Sequence, residues 1–252
     1  MNRSTRVLMI LLAIGIAAGS GCVYWRLLKF KGQLNNFNEH FEFVSLGSYS
    51  LILKHPLLTG ADFDQLMEVE PSEKLVSESS CQRIYRYEKD PPDQSPLLIY
   101  SFHFEGDLLT RIDFPEQFNQ LYPGGTLPEL LQAFGSASVD RGEQSTHSNS
   151  FDHELRRDLP NLELVMEVLG EPSSLSQGES DDGRELLFRY RLQTSTTGKK
   201  EEKRRAAGVF FFDAEGELTR LDARIGKHEM RFDIPDEGSE VPIQTTEETY
   251  DD

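Results

Sequence analysis

The run 97-LLIYSFHFEGDLLTRIDF-114 carries its apolar side chains at a period of two. Leu98, Tyr100, Phe102 and Phe104 share one face. Glu105-Gly106-Asp107 then turns the chain, and Leu108, Ile112 and Phe114 return. This pattern predicts an antiparallel hairpin with one buried face. A second run of the same kind, 208-GVFFFDAEGELTRLDARIGKHEMRFDI-234, predicts two or three further strands with a turn at Glu215-Gly216.

Other elements are legible around these two runs. Leu27, Phe30, Leu34, Phe37 and Phe41 recur at three- and four-residue spacing, which predicts one helix over 23–44. "SYSLILKH" alternates Tyr49, Leu51 and Leu53 and reads as a strand. Thr59 can cap a short helix through Val69 that Pro71 stops, and Thr126 with Glu129 has the form of a capping box for a helix ending at Gly135. Residues 136–158 are polar without a sustained period and read as a linker or loop. "LPNLELVMEVLGEP" predicts a helix ending at Gly170, and "RELLFRYRL" a strand with Leu186, Phe188, Tyr190 and Leu192 on one face. The insert "QTSTTGKKEEKRR" reads as a solvated loop or hairpin tip. Residues 236–252 hold seven acids and no base, a composition expected to stay disordered.

Pieces of the two halves match in order. "LMEVEPSE" pairs with "VMEVLGEPSS", "RIYRYE" with "LLFRYR", and "FHFEGDLLTRID" with "FFDAEGELTRLD". A fixed order of matched pieces argues for an internal repeat. Through "VLGEP", "LLFRYRL" and "VFFFDAEGELTRL", the second unit resembles the small lipoprotein domain of BamE in the barrel-assembly machinery (the SmpA/OmlA family). That resemblance implies a helical pair packed on a three-stranded antiparallel sheet. The unit in tandem also resembles the β-lactamase inhibitor protein, which implies binding through sheet faces. The first unit lacks the glycine before its proline, and no binding residue of either family carries over.

At the N-terminus a basic stretch with Arg3 and Arg6 precedes twelve apolar residues, Val7 to Ala18, and then Gly19-Ser20-Gly21-Cys22. This is the layout of a cleaved secretory signal. The small residues before Cys22 resemble a bacterial lipobox, although Gly19 stands where leucine is usual. The resemblance implies that residues 1–21 are removed and that Cys22 carries a diacylglyceryl group and a further acyl chain. The alternative is an uncleaved single-pass anchor over Val7–Trp25, just long enough to span a bilayer. Either way the bulk of the chain is tethered to a membrane.

The formal charge is −17, and becomes −19 once residues 1–21 are gone, which disfavours contact with nucleic-acid phosphates. With Cys22 acylated, Cys81 is the one remaining thiol and no internal disulfide can form. The six histidines, at 40, 55, 103, 147, 153 and 228, are scattered, with no His-x-x-x-His and no Cys-x-x-Cys, so no metal site is expected. There is no Gly-x-Ser-x-Gly elbow and no phosphate-cradling loop. Asp181-Asp182-Gly183 lacks the spaced ligands of a calcium loop and reads as a turn.

The expectation is an α+β chain. Its parts are a lipoprotein signal (1–21), a membrane-proximal helix (22–44), a first unit (45–135), a polar linker (136–158), a second, BamE-like unit (159–235) and an acidic tail (236–252). Each unit is expected to be a helix or helical pair packed on its own three- to four-stranded antiparallel sheet. Phe102, Phe104 and Ile112 should face a core with Leu66, and Phe188, Phe212 and Leu221 a core with Val165. The expected function is non-catalytic protein binding by a lipid-anchored protein of the bacterial envelope, facing the periplasm from the outer rather than the inner membrane, with no cofactor. It would serve outer-membrane assembly or maintenance; alternatives are a sheet-face inhibitor of a secreted enzyme and a hydrolase of envelope polymers. The strand "GVFFF" is apolar on both faces, so one of Phe210 and Phe211 is either covered by another element or offered to a partner.

Overall fold

The computed structural model describes residues 23–93, 95, 97–123, 125–136, 138–140, 145–148, 158–177, 183–194, 204–225 and 228–234. Residues 1–22, 178–182, the insert over 195–203 and the tail over 236–252 lie outside the described residues, and with them the expectations for the signal, Cys22 and Asp181-Asp182.

In chain order the elements are α1 (23–35), α2 (Phe37–His40), β1 (Phe41–Leu46), β2 (Ser48–Leu53), α3 (Gly60–Met67), β3 (Glu73–Val76) and β4 (Ser80–Lys89). Then come β5 (Leu98–Glu105), β6 (Leu108–Asp113), α4 (Gln117–Leu121), α5 (Thr126–Ser136), β7 (Ser138–Asp140) and β8 (Ser145–Ser148). The chain continues through α6 (Leu162–Leu169), β9 (Ser174–Gln177), β10 (Arg184–Leu192), β11 (Arg205–Phe212), β12 (Leu218–Ile225) and β13 (His228–Asp233). The order helix, short strand and three longer strands occurs twice, as α3-β3-β4-β5-β6 and as α6-β9-β10-β11-β12.

The strands do not form two sheets. Eleven lie on one path, β1-β2-β6-β5-β4-β10-β11-β12-β13-β8-β7, while β3 pairs beside β4 and β9 beside β10. All pairings are antiparallel except β13 with β8. This overturns the expectation of helices packed on separate three- to four-stranded sheets, and strand length is the reason. The short β3 covers Cys81–Ile84 of β4, and the short β9 covers Arg184–Leu187 of β10. Each leaves the last part of its long neighbour with a bare edge, whose backbone groups need partners. The two bare edges pair with each other, Tyr190 with Lys89 and Leu192 with Tyr87.

The junction is built from the matched Glu-Pro-Ser and Arg-Tyr pieces. Ser72 Oγ accepts from the Arg86 N–H at 2.9 Å and donates to the Gln193 carbonyl across the junction. Ser173 Oγ accepts from the Arg189 N–H at 3.0 Å and donates to the Asp90 carbonyl at 3.1 Å. Backbone bonds of 2.8 Å from Gln193 N to Arg86 O and from Asp90 N to Arg189 O complete the pattern. The matched Thr-Arg pieces recur too. Each hairpin carries a bulge, at His103/Phe104 and at Phe211/Phe212, and a threonine hydroxyl donates to the bulged carbonyl. Thr110 reaches His103 O at 3.3 Å, and Thr219 reaches Phe211 O at 3.1 Å.

One core cluster runs the length of the sheet. It takes Leu51, Tyr85, Tyr87, Phe104, Phe188, Tyr190 and Phe210 from the strands and Leu34, Phe63, Leu130, Val165 and Leu169 from the helices, so the helices share one face. Phe104, Phe188, Phe212 and Val165 are buried as expected, and Phe102, Ile112 and Leu221 pack half-buried against the cluster. From α3 it is Phe63 that fills the core, its ring 4.4 Å from that of Phe102 and tilted by 49°, whereas Leu66 is half-buried.

Helix ends follow local chemistry. Thr59 caps α3 in a capping box with Asp62, and Glu68 in the left-handed region ends it. Asn161 accepts from Leu164 N to start α6, and Gly170 at φ 74° ends it. Two expectations need correction. The helix over 23–44 breaks at Asn36, and Phe41 opens β1, because Phe41 and Phe43 also fit a strand that pairs with β2 around Gly47 at φ 89°. Thr126 lies inside α5 and donates to the Pro123 carbonyl at 2.9 Å instead of capping with Glu129. The polar stretch after α5 also contributes β7 and β8 to the sheet margin.

Candidate protein-binding face

Alternate residues of the long strands point away from the helices, onto an outer face. Across β10, β11, β12 and β13 they form rows: Arg189-Ala207-Arg224-Glu229, then Leu187-Val209-Asp222-Arg231, then Glu185-Phe211-Arg220-Asp233. Arg191 stands opposite Arg205 at the near end. Ala207 is short between two long arginines, so the sheet surface dips there. The dip continues into a groove of about 360 Å³ floored by Leu187 and Val209 and walled by Arg189, Arg224 and Arg231. A second, smaller pocket that shares Arg189, Ala207 and Arg224 with it is lined also by Arg205 and Asp90.

Charges are partly matched along this surface. Asp222 holds Arg231 at 3.2 Å and Arg220 at 3.4 Å, Arg224 meets Glu229 at 3.6 Å, and Arg191 meets Asp90 at 3.0 Å. The Arg189 and Arg205 side chains are exposed. Arg220 lies over the Phe211 ring, its Cζ 3.5 Å from the centroid. Phe210 and Phe211 therefore part company. Phe210 is buried, edge-on to Phe188 at 5.8 Å and stacked with Phe212, while Phe211 is half-buried on the outer face.

On the first half the same face carries Ser50, His103, Arg111 and Asp113. Ser50 Oγ donates to Asp113 Oδ1 at 2.7 Å, Arg111 Nε to the same oxygen at 2.5 Å, and His103 Nε2 lies 2.7 Å from Asp113 Oδ2. Arg111 also donates to Ser50 Oγ at 3.1 Å. Burial works against the Asp113 charge, but bonds from His103, Ser50 and Arg111 outweigh it and hold the carboxyl at about 2. Serine, histidine and aspartate are all here, yet Asp113 is the hub and both others bond to it. A serine nucleophile needs the histidine as its own acceptor, with the carboxylate behind the ring. This arrangement ties β2, β5 and β6 together.

The arginine surface was missed in the sequence, although Arg189 and Arg191 flank the buried Tyr190 at the strand period. Among the described residues no group of three or more His, Cys, Asp or Glu could hold a metal ion, and no helix is long and apolar enough to cross a membrane. No protein family, no curated protein and no solved structure matches this chain.

Proposed function

We propose that this chain is a non-catalytic, membrane-tethered envelope protein that binds a partner protein through the outer face of its second half. It would act in the assembly or maintenance of the outer membrane. One observation carries the reading: Arg189 and Arg224 line both the groove and the pocket beside it, Arg205 lines that pocket, and Phe211 stands in the next row, on a chain of charge −17. Arginine and aromatic side chains are the usual anchors of protein interfaces. The partner would offer an acidic segment, which the basic groove attracts while the acidic remainder repels it elsewhere. The resemblance of the second unit to the BamE domain, and the lipobox-like Gly-Ser-Gly-Cys22, support an envelope address.

A photo-reactive residue at Phe211, compared with one at the exposed Ile99 of the first half, tests this in intact cells. We expect a discrete crosslinked protein from position 211 that is lost in the variant Arg189→Glu/Arg205→Glu, with the melting temperature unchanged. Equal crosslinking from both positions, or crosslinking indifferent to the charge reversal, would overturn the reading. The continuous sheet supports a second reading, a sheet-face inhibitor, to which the tandem resemblance also points. In that case the captured protein is a secreted enzyme, and the purified chain lowers its activity. A hydrolase gains no support from the Asp113 cluster.

A further inference from the structure

At the opposite end of the sheet two histidines meet. His40 closes α2 and His55 follows β2. Their Nδ1 atoms are 3.1 Å apart, and the rings stand at 76° with centroids 5.2 Å apart. The backbone holds both. The His40 carbonyl accepts from Lys54 N at 2.9 Å, and the His55 carbonyl accepts from Gln33 Nε2 at 3.0 Å, Gln33 being buried. Both rings are reachable from solvent. Two imidazole nitrogens bound to one tetrahedral zinc, each at roughly 2.05 Å, stand about 3.3 Å apart. The two nitrogens, hydrogen-bonded to each other without an ion, already stand within a few tenths of an ångström of that separation.

We propose that His40 and His55 form a bidentate site for a first-row divalent cation that favours imidazole: zinc, nickel or copper(II). Water completes the coordination. Magnesium and calcium, which take oxygen ligands, are not accepted. A bound ion would join the end of the helical stem to the end of β2, so binding would raise the stability of the folded state. The site is independent of the arginine groove. It escapes a motif search because the two residues are fifteen positions apart, brought together only by the β1–β2 pairing.

The full chain, purified in detergent with a tag free of histidine and stripped with chelator, is titrated calorimetrically with zinc chloride and, separately, with magnesium chloride. We expect one equivalent of zinc and no magnesium to bind. His40→Ala and His55→Ala should each weaken zinc binding at least roughly tenfold, because one imidazole loses the advantage of its tethered neighbour. Zinc should raise the melting temperature of the unaltered chain and leave that of His55→Ala unmoved. Absence of saturable zinc binding, or zinc affinity in the two variants equal to that of the unaltered chain, would overturn the proposal. Both side chains reach solvent, so the variants are expected to fold, and circular dichroism checks that they do.

Discussion

Ser72 and Ser173 occupy equivalent positions in the two halves of the sheet, and each hydroxyl bonds to the other half's chain. Ser72 donates to Gln193 O while accepting from Arg86 N, and Ser173 donates to Asp90 O while accepting from Arg189 N. Alanine at either site removes a donor and an acceptor at once. Each substitution should lower stability by about 1–3 kcal/mol. The measurement is the urea midpoint, and an unchanged midpoint in both variants would show that the backbone pairing alone holds the junction.

Arg26 fastens the helical stem to the body. Its guanidinium donates to both oxygens of the buried Asp62, at 2.7 and 2.6 Å, while Asp62 also serves the α3 cap. Burial opposes the Asp62 charge, but Arg26 and the Thr59 donors prevail and lower its pKa. Arg26→Ala leaves a buried carboxylate without its partner and should cost about 3 kcal/mol. Because the folded pKa is depressed, the pair's contribution is present above the ordinary carboxylate range and fades as pH falls below it. The difference between the two proteins should therefore shrink in acid denaturation curves run below about pH 4.

Asp113 extends that argument to the outer face. With its carboxyl held at about 2, its network is at full strength above pH 4 and lost only as pH falls toward 2. The shift corresponds to at most roughly 2 kcal/mol, reduced by solvent screening of this partly exposed network. Asp113→Asn should lower the melting temperature at pH 7, and the loss should disappear near pH 2. A constant difference across that range would mean that something other than the charge is responsible.

Phe210 and Phe211 should separate cleanly on substitution. Phe210→Ala empties a buried site and should cost about 3–5 kcal/mol. Phe211→Ala removes a half-exposed ring and its Arg220 contact, about 1 kcal/mol at an exposed site. Thermal melts decide, and equal losses would place both rings in the core.

The proposed anchor makes its own prediction. Mass spectrometry of the membrane-extracted protein should find a mature chain beginning at an acylated Cys22. An intact Met1–Cys22 peptide without lipid would instead identify a retained span.

Much of the fold was legible because period-two alternation and capping residues act locally. Phe104 and Phe188 had to face a core, Thr59 could begin α3, and Gly170 could end α6. The matched Glu-Pro-Ser, Arg-Tyr and Thr-Arg pieces were equally visible, but their work was not. What they bond to lies on another strand, as when Ser72 reaches Gln193. Alternation says which side chains share a face, never which edges meet. Local spacing also misled at Phe41, which suits helix and strand alike until pairing with β2 chooses the strand. The joining of β4 to β10 depends on the shortness of β3 and β9, a matter of which backbone groups remain unsatisfied once the strands are laid side by side. The arginine rows and the His40–His55 pair arise in the same way, from cross-strand register between residues distant in the chain. Face and cap follow from neighbours in sequence, whereas edge and register follow from hydrogen bonds that only the assembled sheet can form.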